Sequence, residues 1–282
     1  MPASALFPVR RYPVRRNVTA WLAALGLLAV LPAQAAEELR IGGTGTSLGA
    51  MQRLGQAFTA ARPDVHVTVL PSMGSGGGIK AAIAGQLQIG LSARPLSSAE
   101  TAAGATATEY GRTPFVFATA LRRPINGVTS AQLVEFYAGQ VEQWPDGARV
   151  RLVMRPVGDA DSELIKTLSP AMAQAKGLAE QRKGMAFAVT DQEAADSIEK
   201  IPGAIGTTTL AQIITEQRPL RALTLDGIVP DIRSIADGRY PLHKALYLVT
   251  GPQVTPATEA FIGFLRSPAG RDLLRQTGHW VR

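Results

Sequence analysis

One unit constrains this chain more than any other, and it occurs twice near the amino-terminal end: a short strand, a turn rich in glycine and hydroxyl residues, then a helix. Leu39-Arg40-Ile41 reads as a strand that runs into Gly42-Gly43-Thr44-Gly45-Thr46-Ser47 and an amphipathic helix from Leu48 to Ala60. After the turn at Arg62-Pro63-Asp64, the alternation from Val65 to Leu70 predicts a second strand. It leads into Pro71-Ser72-Met73-Gly74-Ser75-Gly76-Gly77-Gly78 and a helix from Ile79 to Ala84. Leu87 to Ser92 then returns as a strand. Such alternation predicts an α/β fold, a parallel sheet with helices on its faces.

The rest of the chain continues the pattern. Thr113 to Ala120 is apolar and β-branched, as a buried strand is, and Ser130 to Tyr137 reads as a helix behind a Thr129 or Ser130 cap. Val150 to Arg155 is a strand, and Asp159-Ala160-Asp161-Ser162 caps a helix through Leu168. A helix over Asp191–Lys200, a strand at Ile201–Gly206, a strand at Ala245–Thr250 and a helix from Pro256 to Gln276 broken at Ser267-Pro268 complete the reading.

Residues 1–35 have the layout of a secretory signal peptide: Arg10, Arg11, Arg15 and Arg16, an apolar run from Ala20 to Leu31, and the small-residue cleavage site Ala33-Gln34-Ala35. The apolar run is shorter than the roughly 20 residues a spanning helix needs. With those four arginines set aside, the formal charge falls from +7 to +3, which gives no argument for a nucleic-acid partner. There is no cysteine, so disulfides, thiolate metal sites and a thiol nucleophile are excluded.

The chemistry concentrates where loops meet helices. A helix start leaves N–H groups unpaired with a partial positive charge, and glycines let a ligand approach that backbone. Thr46 and Ser47 at the first junction and Ser75, Gly76 and Gly77 at the second are therefore candidate ligand-binding residues. For either turn alone, a tight turn with no ligand is the competing explanation. Arg155, before the third junction at Asp159 to Ser162, is the natural charge partner for an oxyanion. Its structural alternative is an ion pair with Asp159 or Asp161. Arg94, in the turn Ser92-Ala93-Arg94-Pro95, is a second candidate, with a staple between elements as its alternative.

Other chemistries fail on spacing. Gly78 is followed by Ile79-Lys80-Ala81, where a nucleotide P-loop needs Lys and a hydroxyl directly after the glycines. His66, His243 and His279 are scattered and are read as surface or packing residues. No nucleophile–base pair, metal cluster or cofactor motif is visible, which points away from an enzyme and from a cofactor.

Gly43-Thr44-Gly45-Thr46-Ser47 together with Gly74-Ser75-Gly76-Gly77-Gly78-Ile79-Lys80 resembles the start of the phosphate-binding proteins of ABC phosphate transporters. Ile89-Gly90-Leu91-Ser92, Arg94-Pro95-Leu96, Tyr137-Ala138-Gly139-Gln140 with Trp144, Arg155, Pro202-Gly203-Ala204-Ile205-Gly206 and Tyr240-Pro241-Leu242 extend the resemblance in the same order over nearly all of the chain after residue 35.

The resemblance implies the two-lobed periplasmic-binding-protein fold of type II, hinged, with two chain crossovers. Residues 36–115 with 245–282 would form lobe one, and 116–244 lobe two. Ser47 and Leu48 then fall where the family has a threonine and an aromatic residue, Ser75 on the ligand serine, and Arg155 on the ligand arginine. Ser162 stands in for the family's Ser-Gly-Thr, which is absent here. The family's aspartate that accepts the proton of a protonated phosphate aligns with Ala93, so Asp159 or Asp161 would have to replace it.

The expected function is capture of an oxyanion, phosphate first among them, by a monomer in the periplasm that delivers it to an ABC permease in the inner membrane. The rival expectations are a sensor or accessory protein without a dedicated transporter, and a binder of another oxyanion such as sulfate.

Overall fold

A computed structural model describes residues 36–281; the expected signal segment lies outside them. Among the described residues no helix is long and apolar enough to cross a membrane. β1 (Glu37–Gly43) is followed by α1 (Gly45–Ala61), β2 (Val65–Val69), α2 (Gly74–Ile83), β3 (Ile89–Ser92) and the short α3 (Ser98–Ala102). The long β4 (Thr106–Ala120) leads to β5 (Gly127–Val128), α4 (Ser130–Ala138), β6 (Arg151–Met154), α5 (Ala160–Lys166) and α6 (Pro170–Gln181). Then follow β7 (Ala186–Phe187), α7 (Asp191–Lys200), β8 (Ala204–Thr209), α8 (Leu210–Thr215), β9 (Leu220–Ala222), β10 (Thr224–Leu225) and α9 (Ile232–Ala236). β11 (His243–Thr250), α10 (Pro256–Arg266) and α11 (Pro268–Gln276) complete the order.

The main sheet runs β2-β1-β3-β11-β4-β8-β6-β7, with β9 added to β4. It is mixed rather than parallel. β1 is parallel to β2 and β3, and β6 is parallel to β7 and β8. Between these two parallel sets lie β11 and β4, each antiparallel to its neighbours. β4 is the reason. Its first part pairs with β11, from Thr250 opposite Thr106 to His243 opposite Pro114, and its last part pairs with β8 and β9 from Phe115 onward. The strand expected at Thr113 thus begins at Thr106, because its polar first half is held by β11 and by the Arg112–Trp280 bridge.

Each parallel set carries its own core. Leu39 and Ile41 of β1 and Leu48, Met51, Leu54 and Phe58 of α1 are buried against Phe261 and Leu265 of α10 and Leu274 of α11, so the carboxy-terminal helices cover the first set. Around the second set, Phe115 and Phe117 of β4 are buried with Phe136, Tyr137, Trp144, Met172 and Tyr240. The aromatic residues of the resemblance serve this core: Trp144 meets Phe136 edge-on at 5.0 Å and donates to the carbonyl of Gly203, and the Tyr240 hydroxyl donates to the carbonyl of Phe115. α7 packs its Ala194, Ala195 and Ile198 on the outer side of β4 and β8.

Two junctions differ from expectation in a way that matters for the site. α1 starts at Gly45, so Thr46 and Ser47 lie in its first turn. Gly74 to Gly78 form the first turns of α2 rather than a loop. The glycines are needed for approach: a Cβ on Gly78 would lie 2.7 Å from the Cα of Gly43 and 2.9 Å from the carbonyl oxygen of Gly42. α2 therefore lies directly against the end of β1.

Candidate functional site

The carboxyl ends of β1 and β6, and the segment after β7, face a cluster of buried charges. α1 begins behind Thr44, whose side chain makes no capping bond. The cap comes instead from across the molecule. The Thr46 N–H donates to Asp191 Oδ2 at 3.0 Å, and the Thr44 hydroxyl donates to the same oxygen at 3.4 Å. Asp191 is the first residue of α7, positioned there by a capping box between Thr190 and Glu193.

Lys244 of β11 completes the ring. Its Nζ lies 2.5 Å from Asp161 Oδ1 and 3.4 Å from Asp191 Oδ1, and it donates to the Thr46 hydroxyl at 3.2 Å. The ammonium also stands 5.2 Å from the ring centre of Phe115. Arg155, directly after β6, grips Asp159 with two parallel bonds of 3.2 and 3.1 Å and donates to the carbonyl of Ala188. Its Nε is 4.0 Å from Asp161. Lys244, Asp161, Asp191 and Arg155 each expose 7% or less of their surface, so these charges interact with little screening.

Two cations thus face three carboxylates. Burial works against the charge on Asp191, but Lys244 and Arg155, with the bonds from Lys244 and the Thr46 N–H, outweigh it and hold the carboxyl below its ordinary range. Asp161 goes the other way: burial and the carboxylates of Asp191 and Asp159 raise it, against the pull of Lys244 and Arg155. Burial would lower Lys244, yet Asp161 and Asp191 keep it above its ordinary value.

The residues expected to bind a ligand divide. Thr46 and Arg155 belong to the charged ring. Ser47 is buried beside it, its hydroxyl accepting from Tyr110 at 2.8 Å, and Leu48 belongs to the first core. Ser162 lies beneath Arg155, donating to that residue's carbonyl and accepting from the fully buried Lys176. Ser75 accepts from the N–H of Ala93, which ties α2 to the end of β3. A Cβ at Gly76 would meet nothing within 4 Å, and one at Gly77 would meet Met73. Arg94 is turned to Glu100, with bonds of 2.9 and 2.7 Å, and acts as a staple between the turn and α3. Asp191 and Lys244 are the site residues that sequence reasoning missed.

N–H, hydroxyl and ammonium donors thus converge on one carboxylate at the ends of strands in an α/β frame. The chain belongs to the PBP superfamily, whose family model, the PBP superfamily domain, matches residues 30–269. The phosphate-binding protein PstS of Bacillus subtilis (strain 168) is 23% identical over 246 residues, covering 83% of this chain and 77% of that protein. A Clostridium perfringens protein assigned as the substrate-binding protein of a phosphate ABC transporter, solved with bound phosphate, superposes with a TM-score of 0.72 at 20% identity. The match covers 87% of this chain and all of that one. The periplasmic molybdate-binding protein of Azotobacter vinelandii matches with a TM-score of 0.60 at 13% identity over 86% of this chain and 99% of its own.

Proposed function

We propose that this chain is a periplasmic, non-enzymatic binding protein that captures an inorganic oxyanion, phosphate first among them, and delivers it to an ABC permease. One observation carries the reading: the Thr46 N–H, the Thr44 hydroxyl and Lys244 converge on a single buried carboxylate, that of Asp191. Donors that hold one oxyanion in a site shielded from water suit another. The phosphate-binding protein of Bacillus subtilis and the Clostridium perfringens protein support phosphate as the first anion to test, and the molybdate-binding protein of similar fold supports including molybdate.

The mechanism we assign is hinge closure of lobe one, residues 36–115 with 245–282, on lobe two, residues 116–244, around the desolvated anion. Asp161 is the proposed acceptor for the proton of a protonated anion, in place of the family aspartate that Ala93 replaces. Three carboxylates beside two cations favour one second reading, a sensor or accessory protein that reports to a membrane partner without transporting an oxyanion.

A thermal-shift screen of residues 36–282 against phosphate, arsenate, sulfate and molybdate separates the two. An anion at about 1,000 times its Kd stabilises by about 4 kcal/mol, on the order of 10 °C in Tm for a chain of this size. A shift with phosphate and arsenate but not sulfate is the expected result. The absence of any shift in protein shown to be ligand-free overturns the oxyanion reading in favour of the second.

A further inference from the structure

We propose that Asp191 is a resident stand-in for the ligand: its carboxylate holds the donors of α1 and latches the two cores together in the empty protein, so that an incoming anion must displace it. The oxyanion reading is needed only for the last clause; the latch stands on geometry alone.

The latch is built from both sides. Asp191 and Gln192 open α7, and both turn to α1: Asp191 accepts from Thr46 and Thr44, and Gln192 Nε2 donates to the carbonyl of Gly45 at 3.2 Å. The surface of α1 that receives them is bare. A Cβ on Gly45 would lie 2.8 Å from Asp191 Oδ2 and would also strike Gln192 Oε1, and a Cβ on Gly49 would strike the Thr215 hydroxyl of α8. One turn further on, Arg53 donates to the carbonyls of Ile214 and Thr215 at 3.2 Å each. α1 belongs to the first core, and α7 packs on β4 and on β8 of the second parallel set, so these contacts clamp one parallel set to the other.

Charge makes the stand-in a competitor rather than a helper. With Asp191 in place, an added dianion would join three carboxylates around Lys244 and Arg155. With Asp191 swung out to solvent, two carboxylates remain for the two cations, and the Thr46 N–H and Thr44 hydroxyl are released. Asp191 is thus a specificity-determining residue that sets a threshold of charge and hydrogen bonding below which a ligand does not enter.

The chain has no cysteine, so two introduced ones report on the latch without interference. Spin labels on Gln56→Cys of α1 and Lys200→Cys of α7, both exposed, measure the separation of the cores. In ligand-free protein, wild-type Asp191 should give one short distance and Asp191→Asn should add a longer one. Gly45→Ala, which obstructs the seat without changing charge, should add the same longer distance and covers the case in which Asp191→Asn does not fold. Calorimetric titration with inorganic phosphate should show Asp191→Asn binding at least about ten-fold tighter than wild type.

Unchanged distances in both variants overturn the latch, whatever binds. Longer distances with no binding of phosphate, arsenate, sulfate or molybdate keep the latch and overturn the oxyanion reading. Equal phosphate affinity in wild type and Asp191→Asn overturns the competition and leaves the oxyanion reading intact.

Discussion

Removing the Lys244 ammonium strands two buried carboxylates, Asp161 and Asp191, that now share it. Lys244→Met keeps the length and apolar stem of the side chain and should destabilise the protein by about 3–5 kcal/mol, the cost of uncompensated buried charge. Urea denaturation should show it as a lower midpoint at an unchanged slope. Adding Asp161→Asn should restore part of the loss, because it removes one of the stranded charges.

A second residue ties stability to pH. His279 is completely buried, its Nδ1 3.2 Å from the carbonyl of Leu274, and Nε2 has no hydrogen-bond partner; burial pushes the ring down to about 4. An unfolded histidine titrates near 6.5, so the unfolded chain binds the extra proton first as pH falls. The His279 contribution to stability should fall between pH 6.5 and about 4 by an amount on the order of 3 kcal/mol. His279→Gln should remove that slope in denaturation curves taken across the window.

These residues also differ in how far they were legible. Lys244 alternates in step with the buried Leu242 and Leu246, so period-two phasing alone places a lysine on the inner face of a strand. Asp191 gives no such sign. An aspartate in the first turn of a helix is ordinary helix chemistry, and its partners at Thr44 and Thr46 are far away in sequence.

At the scale of elements, the glycines of α2 are not equivalent. Gly78→Ala would force a methyl group into the backbone of Gly42 and Gly43, which cannot yield as a flexible side chain would, and should cost about 1–3 kcal/mol. Gly76→Ala meets open space inside the same helix and should gain up to about 1 kcal/mol from helix propensity. Thermal denaturation of the two variants should move in opposite directions.

The strand–glycine–helix units were legible because local periodicity and turn chemistry specify them. The helical state of Gly74 to Gly78 was not, since glycine is a poor helix former and only packing against β1 imposes the conformation. The first half of β4 escaped for a related reason. Its alternation includes the exposed Glu109 and the half-buried Arg112, and it is a strand because β11 lies beside it.

For the molecule as a whole, β4 is the common member of both ends of the sheet. It pairs with β11 on the side of the first core and with β8 and β9 on the side of the second, so loss of β4 leaves both halves of the sheet with an unpaired edge. Far-UV circular dichroism and the fluorescence of Trp144 and Trp280 should therefore report one coincident denaturation transition. Two separated transitions would mean that the cores hold their strands independently. The bare glycine face of α1 has a thermodynamic consequence of its own. A trap that snaps shut on its solute buries fresh apolar surface and announces this with a large negative heat-capacity change. Under the proposed latch, α1 rests on α7 and α8 through Gly45 and Gly49 both before the anion enters and after the lobes close on it, and loading the seat exchanges one carboxylate for another anion. The heat of binding should accordingly stay nearly constant with temperature, as it does when one ion replaces another in a cage that is already built.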